Sequence, residues 1–283
     1  MEKFFYPRSM VVIGASVKKM NLGHIIVLNN RKNGYEGNIY GVSREEGDIA
    51  GAHVYDSVDK IPEVPDVAII ISPAQTVPDF MEACGKKGIK RIVIESGGFS
   101  EYSEGQNILE EKLLEIADRY NIRFIGPNCI GTINFDIKMM MPFGFFPDTK
   151  SGGRVAMIVQ SGGIGGSYLK EFGDNSIIPG KFASIGNKLQ IDEVDVLDYL
   201  IKDEKTDIIT IYLEGFKRGR AFLDLALLSD KPLIVQKANR SDLAAKIAQS
   251  HTTALSADDA VVDGGFRQAA VIRAEDDIDF INA

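Results

Sequence analysis

The sequence predicts an α/β protein made of two parallel-sheet units in series. Three observations carry that expectation. Short apolar runs alternate with amphipathic stretches along nearly the whole chain, the pattern of strand–helix–strand units. Most of the runs end in turns of Gly, Ser, Pro and Asn, as strands that feed crossover helices do. The alternation lapses once, at Thr132–Lys150, and resumes at Arg154. With 283 residues there is enough chain for two cores.

In the first series the apolar runs Met10–Ile13, Asn38–Val42, Val67–Ile71, Arg91–Glu95 and Arg123–Ile125 read as strands. Gly23–Lys32, Thr76–Lys87 and Glu104–Tyr120 read as helices; in the last, Ile108, Leu109, Leu113, Leu114 and Ile116 recur at helical spacing. Thr76 and Asp79 suggest a capping box at the start of the middle helix. The stretch 132–150 has no helical period and is read as a hairpin or crossing loop between domains. Its Met139–Met141 run is assigned to packing, because three adjacent thioethers cannot face one metal. In the second series Val155–Val159, Lys181–Ile185, Asp207–Leu213 and Leu233–Gln236 are predicted strands. Gly165–Phe172, Val194–Lys202 and Gly219–Leu228 are the predicted helices. The division is therefore 1–131, 132–150 and 151–283, with the last part flavodoxin-like.

Composition narrows the function. Apolar residues make up 45% and charged residues 25%, values of an ordinary globular chain. A net charge of −8 argues against nucleic acid, which needs a basic face. It leaves room for a small anionic ligand held by backbone N–H groups. Only two cysteines occur, Cys84 and Cys129, without disulfide-like spacing. With no secretory signal in Met1–Arg8 and no apolar run of membrane-spanning length, a soluble cytoplasmic protein is expected.

The turns suggest where a ligand sits. The first strand runs into Gly14-Ala15-Ser16, then a polar loop, with Gly23 opening a helix. Nucleotides bind at such strand ends, although the GxGxxG fingerprint is absent. After the second strand stand Ser43 and Arg44, which suit a phosphorylated ribose such as that of NADP or coenzyme A. The bland alternative is a tight turn with a solvated arginine. Ser72-Pro73, Ser96-Gly97-Gly98 and Gly126-Pro127-Asn128-Cys129 end three further strands on the same sheet edge. Cys129 is assigned to the core rather than to catalysis. In the second series Ser161-Gly162-Gly163-Ile164-Gly165-Gly166-Ser167 forms a Gly-rich strand-to-helix turn whose open N–H groups make an anion site. Close helix–sheet packing is the alternative reading.

Of three histidines, His24 is placed in a helix and His53 in a loop, each without chemistry. His251 lies among small residues in Gln249-Ser250-His251-Thr252-Thr253-Ala254, a slim loop able to enter a tight site. Unprotonated imidazole is a competent phosphoryl acceptor near neutral pH.

The segment AKIAQSHTTALSADDAVVDGGFRQAAVIRAED resembles the phosphohistidine segment of ADP-forming acyl-CoA (acetate–CoA) ligases, relatives of the succinyl-CoA synthetase alpha subunit. VVIGAS, PDVAIIISPAQTVPDFMEACGKKGIKRIVIESGGFSE, RFIGPNCIGTIN, GRVAMIVQSGGIGGSYL, ASIGNK and IITIYLEGFKRGRAF resemble further blocks of that family in family order, so nearly all of the chain is covered. The resemblance implies a Rossmann-like coenzyme A-binding domain followed by a succinyl-CoA synthetase-type flavodoxin-like domain. It implies that His251 carries a phosphate, that Ser161, Gly162 and Gly163 cradle it, and that Glu214 stabilises the charged imidazole. Gly14, Ala15, Ser16, Ser72, Pro73, Gly97 and Gly98 would contact coenzyme A, beside Ser43 and Arg44. It also implies an ATP-grasp beta subunit or domain that brings Mg and NTP, acyl phosphate and acyl-CoA as reacting species, no metal in this chain, and a hetero- or homo-oligomer. The sequence departs from the family at Thr253, where glycine is usual, at Val42-Ser43-Arg44, where Asn-Pro often follows the strand, and at Asn239. Those departures support one rival, a non-catalytic coenzyme A-binding or regulatory module of the same fold. An NAD(P)-dependent oxidoreductase is a weaker rival, since it accounts for the first domain only.

Overall fold

A computed structural model describes residues 1–100, 107–144, 152–239 and 259–283. His251, its flanking loop and Arg240 lie outside the described residues, as do residues 104–106 of the predicted third helix.

The first domain is a Rossmann-like sheet. Its strands are β1 (Ser9–Ile13), β2 (Asn38–Val42), β3 (Gly47–Ile49), β4 (Ala52–Tyr55), β5 (Val67–Ile70), β6 (Arg91–Ile94) and β7 (Arg123–Ile125). They lie in the order β3-β4-β2-β1-β5-β6-β7, parallel except for β3 against β4. Central strands β1 and β5 are buried at every position, which is why their sequences run apolar instead of alternating. Helices α2 (Leu22–Asn33), α3 (Val77–Lys87) and α4 (Asn107–Tyr120) connect them, after a short α1 (Glu2–Phe5).

Two expectations are corrected here. His53 lies in β4, not in a loop, and its ring packs edge-on to Tyr55 at 4.4 Å. Thr76 makes no capping box: a 3-10 turn at Ala74–Thr76 precedes α3, and the Thr76 hydroxyl bonds Pro73 O at 2.8 Å and Ser72 Oγ at 3.0 Å. Asn21 caps α2 instead, accepting from His24 N at 2.9 Å.

The second domain is flavodoxin-like. Its strands β8 (Gly131–Asn134), β9 (Met139–Met140), β10 (Val155–Val159), β11 (Pro179–Ser184), β12 (Ile208–Leu213), β13 (Leu233–Lys237) and β14 (Ile272–Ala274) lie in the order β14-β13-β12-β10-β11-β8-β9. The five parallel strands β11-β10-β12-β13-β14 make the 2-1-3-4-5 order of that fold. Helices α5 (Gly162–Asp174), α6 (Glu193–Lys202), α7 (Gly219–Leu228), α8 (Asp259–Gln268) and α9 (Asp277–Asn282) cover it. The hairpin β8–β9 adds an antiparallel edge through β8 and β11. A capping box does occur in this domain, where Asp192 and Asp195 start α6.

The hairpin also ties the sheet to the first domain. Thr132 Oγ1 donates to Phe4 O at 2.6 Å and Asn134 Nδ2 donates to Phe5 O at 3.0 Å. Asn30 of α2, fully buried, donates to Met140 O and accepts from Met140 N at 2.9 Å, as a neighbouring strand would. The three methionines are core: Met139 and Met141 pack in one cluster with Val93 and Ile125 of the first sheet and Ile158 and Ile211 of the second, and Met140 in another with Ile133, Phe135 and Met157. Replacing Asn30 by Ala strands the Met140 N–H and C=O without partners. At about 1–3 kcal/mol for each of the two buried groups, Asn30→Ala is expected to cost about 2–6 kcal/mol in urea unfolding. A loss under about 1 kcal/mol would show that water replaces the amide.

Candidate functional site

The first sheet gathers its predicted ligand residues on one edge. Gly14 follows β1 with φ +99, its N–H donating to Val42 O at 2.8 Å. A Cβ there would lie 2.1 Å from Ile71 O, so only glycine lets β1 turn against β5. The chain then folds back over α2: Ser16 N donates to Asn21 Oδ1 at 3.1 Å, and His24 Nδ1 lies 3.0 Å from Ser16 O. Gly23 approaches so closely that a Cβ would meet Ala15 Cα at 2.7 Å. Ser43 N donates to Tyr55 O at 3.0 Å, and Arg44 beside it is exposed. Ser72 N donates to Ser96 Oγ at 3.0 Å, which locks the turns after β5 and β6 together and leaves Pro73 and Gly97 exposed. Gly98 turns with φ +99.

None of these residues lines the main cavity, a space of about 680 Å³ between the two domains. Its walls include Ser161, Gly162, Gly163 and Glu214 from the predicted set, with Glu95, Cys129, Gln160, Lys188 and Phe216. The structure thus divides the predicted residues into a sheet-edge group and a cavity group.

The glycine-rich stretch is not a loop. α5 begins at Gly162, three residues before the predicted start, and Ser161 is its N-cap with no side-chain cap bond. The first-turn N–H groups therefore have no acceptor within the helix and point out of its N-terminus. The glycines serve different ends. A Cβ at Gly165 would strike Val159 and the Phe182 ring at 2.7–2.8 Å, and one at Gly162 would meet Ile130 at 2.9 Å. A Cβ at Gly163 would meet nothing within 4 Å. Packing accounts for the first two, and Gly163 faces open space.

Glu214 sits just past β12, in a turn built by residues the sequence reading missed. Gln160 Oε1 accepts from Glu214 N at 3.0 Å and Gly215 N at 3.4 Å. Lys188 Nζ donates to Gly215 O at 2.6 Å and pairs with Glu193 Oε2 at 3.0 Å. Glu193, wholly buried, accepts from Lys217 N at 2.7 Å. Burial raises the Glu214 carboxyl above the usual range, and the Lys188 charge opposes that rise. Little in the sequence hinted at these partners: the hydrogen bonds that build the turn span 24–55 positions.

Glu95 was read as the end of a strand and nothing more. It is 5% exposed, and neither carboxyl oxygen has a hydrogen-bond partner among the described residues. Burial alone pushes it well above the carboxylate range. Cys129 is 3% exposed, its thiol donating to Ile94 O at 3.3 Å; burial, with Glu95 next, raises it too. Among the described residues no cluster of three or more His, Cys, Asp or Glu could hold a metal, and no helix is long and apolar enough to cross a membrane.

Fold and cavity define a two-domain α/β protein in which a Rossmann-like sheet edge opens towards the N-terminus of a flavodoxin-like helix. Known proteins share the arrangement. Residues 8–134 match the family described as CoA binding domain, and residues 152–283 match the succinyl-CoA ligase-like flavodoxin domain. The chain is 41% identical over 276 residues to acetate–CoA ligase (ADP-forming) I of Archaeoglobus fulgidus, covering 97% of this chain and 40% of that protein. It is 40% identical to the alpha subunit of acetate–CoA ligase (ADP-forming) I of Pyrococcus furiosus, covering 97% of this chain and 60% of that subunit. The solved dinucleotide forming acetyl-coenzyme A synthetase 1 of Ca. Korarchaeum cryptofilum, in complex with phosphate and ADP, superposes with a TM-score of 0.93 at 34% identity, over 99% of this chain and 61% of that one. The chain is a homologue of ADP-forming acetate–CoA ligases with a succinyl-CoA synthetase-like fold, and it spans about 40–60% of the length of these relatives.

The buried acid has a thermodynamic signature. With its folded value raised, Glu95 keeps a proton that the unfolded chain releases above about pH 4.3, so it lowers stability as pH rises through that window. Glu95→Gln carries no such proton. Its stability relative to the native protein is expected to climb as pH rises above about 4.3, by at most about 1.4 kcal/mol per unit. A difference constant with pH in urea titrations would mean that Glu95 is ionised in the folded state.

Proposed function

We propose that this chain is the coenzyme A-binding, histidine-phosphorylated part of an NDP-forming acyl-CoA synthetase, acting in the cytoplasm with an ATP-grasp subunit or domain that supplies Mg and NTP. The observation that carries the reading is the cavity: a helix N-terminus with free N–H groups and the Glu214 carboxyl share one space beside the coenzyme A-type sheet edge. The partner phosphorylates His251, the phosphate passes to a carboxylic acid, and coenzyme A displaces it to give the acyl-CoA.

The residues fit these roles. Gly14 and Ala15 give a backbone surface close enough for a pyrophosphate. Exposed Arg44 suits the ribose phosphate of coenzyme A, with Ser43 next to it. Ser72, Pro73, Gly97 and Gly98 continue that edge towards the cavity. Ser161, Gly162 and Gly163 offer first-turn N–H donors to a phosphoryl group, and the helix dipole favours its charge. Glu214 would stabilise an imidazolium and fix the tautomer of His251.

Two measurements test this. Coenzyme A is expected to raise the melting temperature more than dephospho-CoA does, with a hundredfold excess over Kd giving about 2.7 kcal/mol. Equal shifts would remove Arg44 from the contact, and no shift with either ligand would undo the first-domain assignment. With an ATP-grasp partner and labelled ATP, the chain should gain one acid-labile, base-stable phosphate. His251→Asn should abolish it without weakening the coenzyme A shift, and Glu214→Gln should lower it. If the native chain takes no label from a competent partner, it is a binding module that has lost the chemistry. A label that survives His251→Asn places the phosphate elsewhere.

A further inference from the structure

The assignments above leave Glu95 without a task, although it lines the same cavity as Gly162, Gly163 and Glu214. A carboxyl group kept from water and from every hydrogen bond costs folding energy that a leucine would not. Its position is informative. It follows the last residue of β6 and precedes the Ser96-Gly97-Gly98 turn, so it stands where the sheet edge meets the cavity. A ligand with its nucleotide on that edge and its reacting end at the α5 N-terminus must pass this point.

We propose that Glu95 is the proton carrier for the sulfur of coenzyme A, protonating the thiolate that leaves when phosphate attacks the acyl-CoA and taking that proton back in the synthetic direction. The inference rests on the acyl-CoA synthetase reading. In the cleavage direction an oxygen of hydrogen phosphate bonds to the thioester carbon as the C–S bond breaks. The electron pair leaves on sulfur, which receives the Glu95 proton. The proton shed by the attacking phosphate restores the carboxyl, leaving an acyl phosphate and a free thiol. No outside oxidant or base is needed.

The neighbours leave this task open. The Cys129 thiol is committed to Ile94 O and is buried. Glu110, reaching the cavity from α4, accepts from Ser100 N and Oγ at 3.3 and 2.7 Å. Lys188 and Lys217 donate to backbone carbonyls, and the turn of Glu214 is fixed by Gln160. Among the described residues Glu95 is the one buried carboxyl with both oxygens unpartnered. Burial raises this carboxyl well above the usual carboxylate range and so nearer to a thiol's range than an exposed one, which is the match proton transfer favours.

The test is phosphate-dependent release of thiol from acyl-CoA by the full chain with its partner. Acetyl-, isobutyryl- and phenylacetyl-CoA serve as probes, and the native protein, Glu95→Gln and Glu95→Asp are compared. Glu95→Gln is expected to lower kcat by about a hundredfold or more with KM for acyl-CoA little changed. The native rate should fall as pH rises through the Glu95 value; that limb should vanish in Glu95→Gln and persist, displaced, in Glu95→Asp. Phosphohistidine labelling and the coenzyme A melting shift should survive in both. The proposal is overturned if Glu95→Gln stays within about threefold of native, or if it loses labelling along with thiol release, as a packing role would require. Native protein that neither takes label nor releases thiol would overturn the functional reading itself, and this inference with it.

Discussion

The backbone seam between residues 186–191 and 122–128 is the constraint on which the rest of the molecule depends. Asn187 N donates to Pro127 O at 2.9 Å, Leu189 N to Gly126 O at 3.1 Å and Ile191 N to Phe124 O at 3.3 Å. Gln190 adds a two-way clamp, accepting from Phe124 N and donating to Ile122 O. Gly186 makes the approach feasible: with φ +57, its Cβ would lie 2.3 Å from Pro127 O. Because the seam joins the exit of β7 to the exit of β11, both sheets turn strand ends towards one space. The cavity is a consequence of that join, and a larger residue at 186 would open it.

How much was legible follows from the same distinction between local and distant causes. The strands β1, β2, β5, β7, β10 and β12 were readable to within a residue or two, because buried parallel strands announce themselves as apolar runs. The pair β3–β4 was missed: Gly47–Ile49 and Ala52–Tyr55 are short, half polar and at a sheet edge. The start of α5 was placed late because four glycines within five positions read as a turn. Tertiary packing overrode propensity, since Gly162 and Gly165 let the helix lie close on Ile130, Val159 and Phe182. The sheet-edge residues stood out through their turn chemistry. Gln160, Lys188, Glu193 and Glu95 did not, because a side chain that works across tens of residues leaves no periodic trace.

Three cavity-side acids show how one residue type is set to different states. Glu193 has Lys188 at 3.0 Å and two backbone N–H donors, so its burial is compensated. Glu214 is partly exposed and has Lys188 as a tempering charge, which leaves its ionisation responsive to a cation arriving beside it. Glu95 has no hydrogen-bond donor among the described residues, and burial shifts it towards the neutral form. Environment alone separates the three groups, through burial, donors and a neighbouring cation.

The cations of the cavity complete that logic by being unavailable. Lys188 spends its ammonium on Gly215 O and Glu193, and Lys217 spends its own on Lys188 O and Leu189 O at 2.8 and 2.7 Å. They fasten the turns that carry Glu214 and the seam, so an anion in the space meets backbone N–H groups first. A helix terminus contributes about 0.3–1 kcal/mol towards an anion, far less than a desolvated ion pair would. A group that must be received and passed on is better served by such a hold than by a buried lysine, whose grip would trap it. The protein's net charge of −8 acts in the same direction, favouring release of an anionic ligand over its retention.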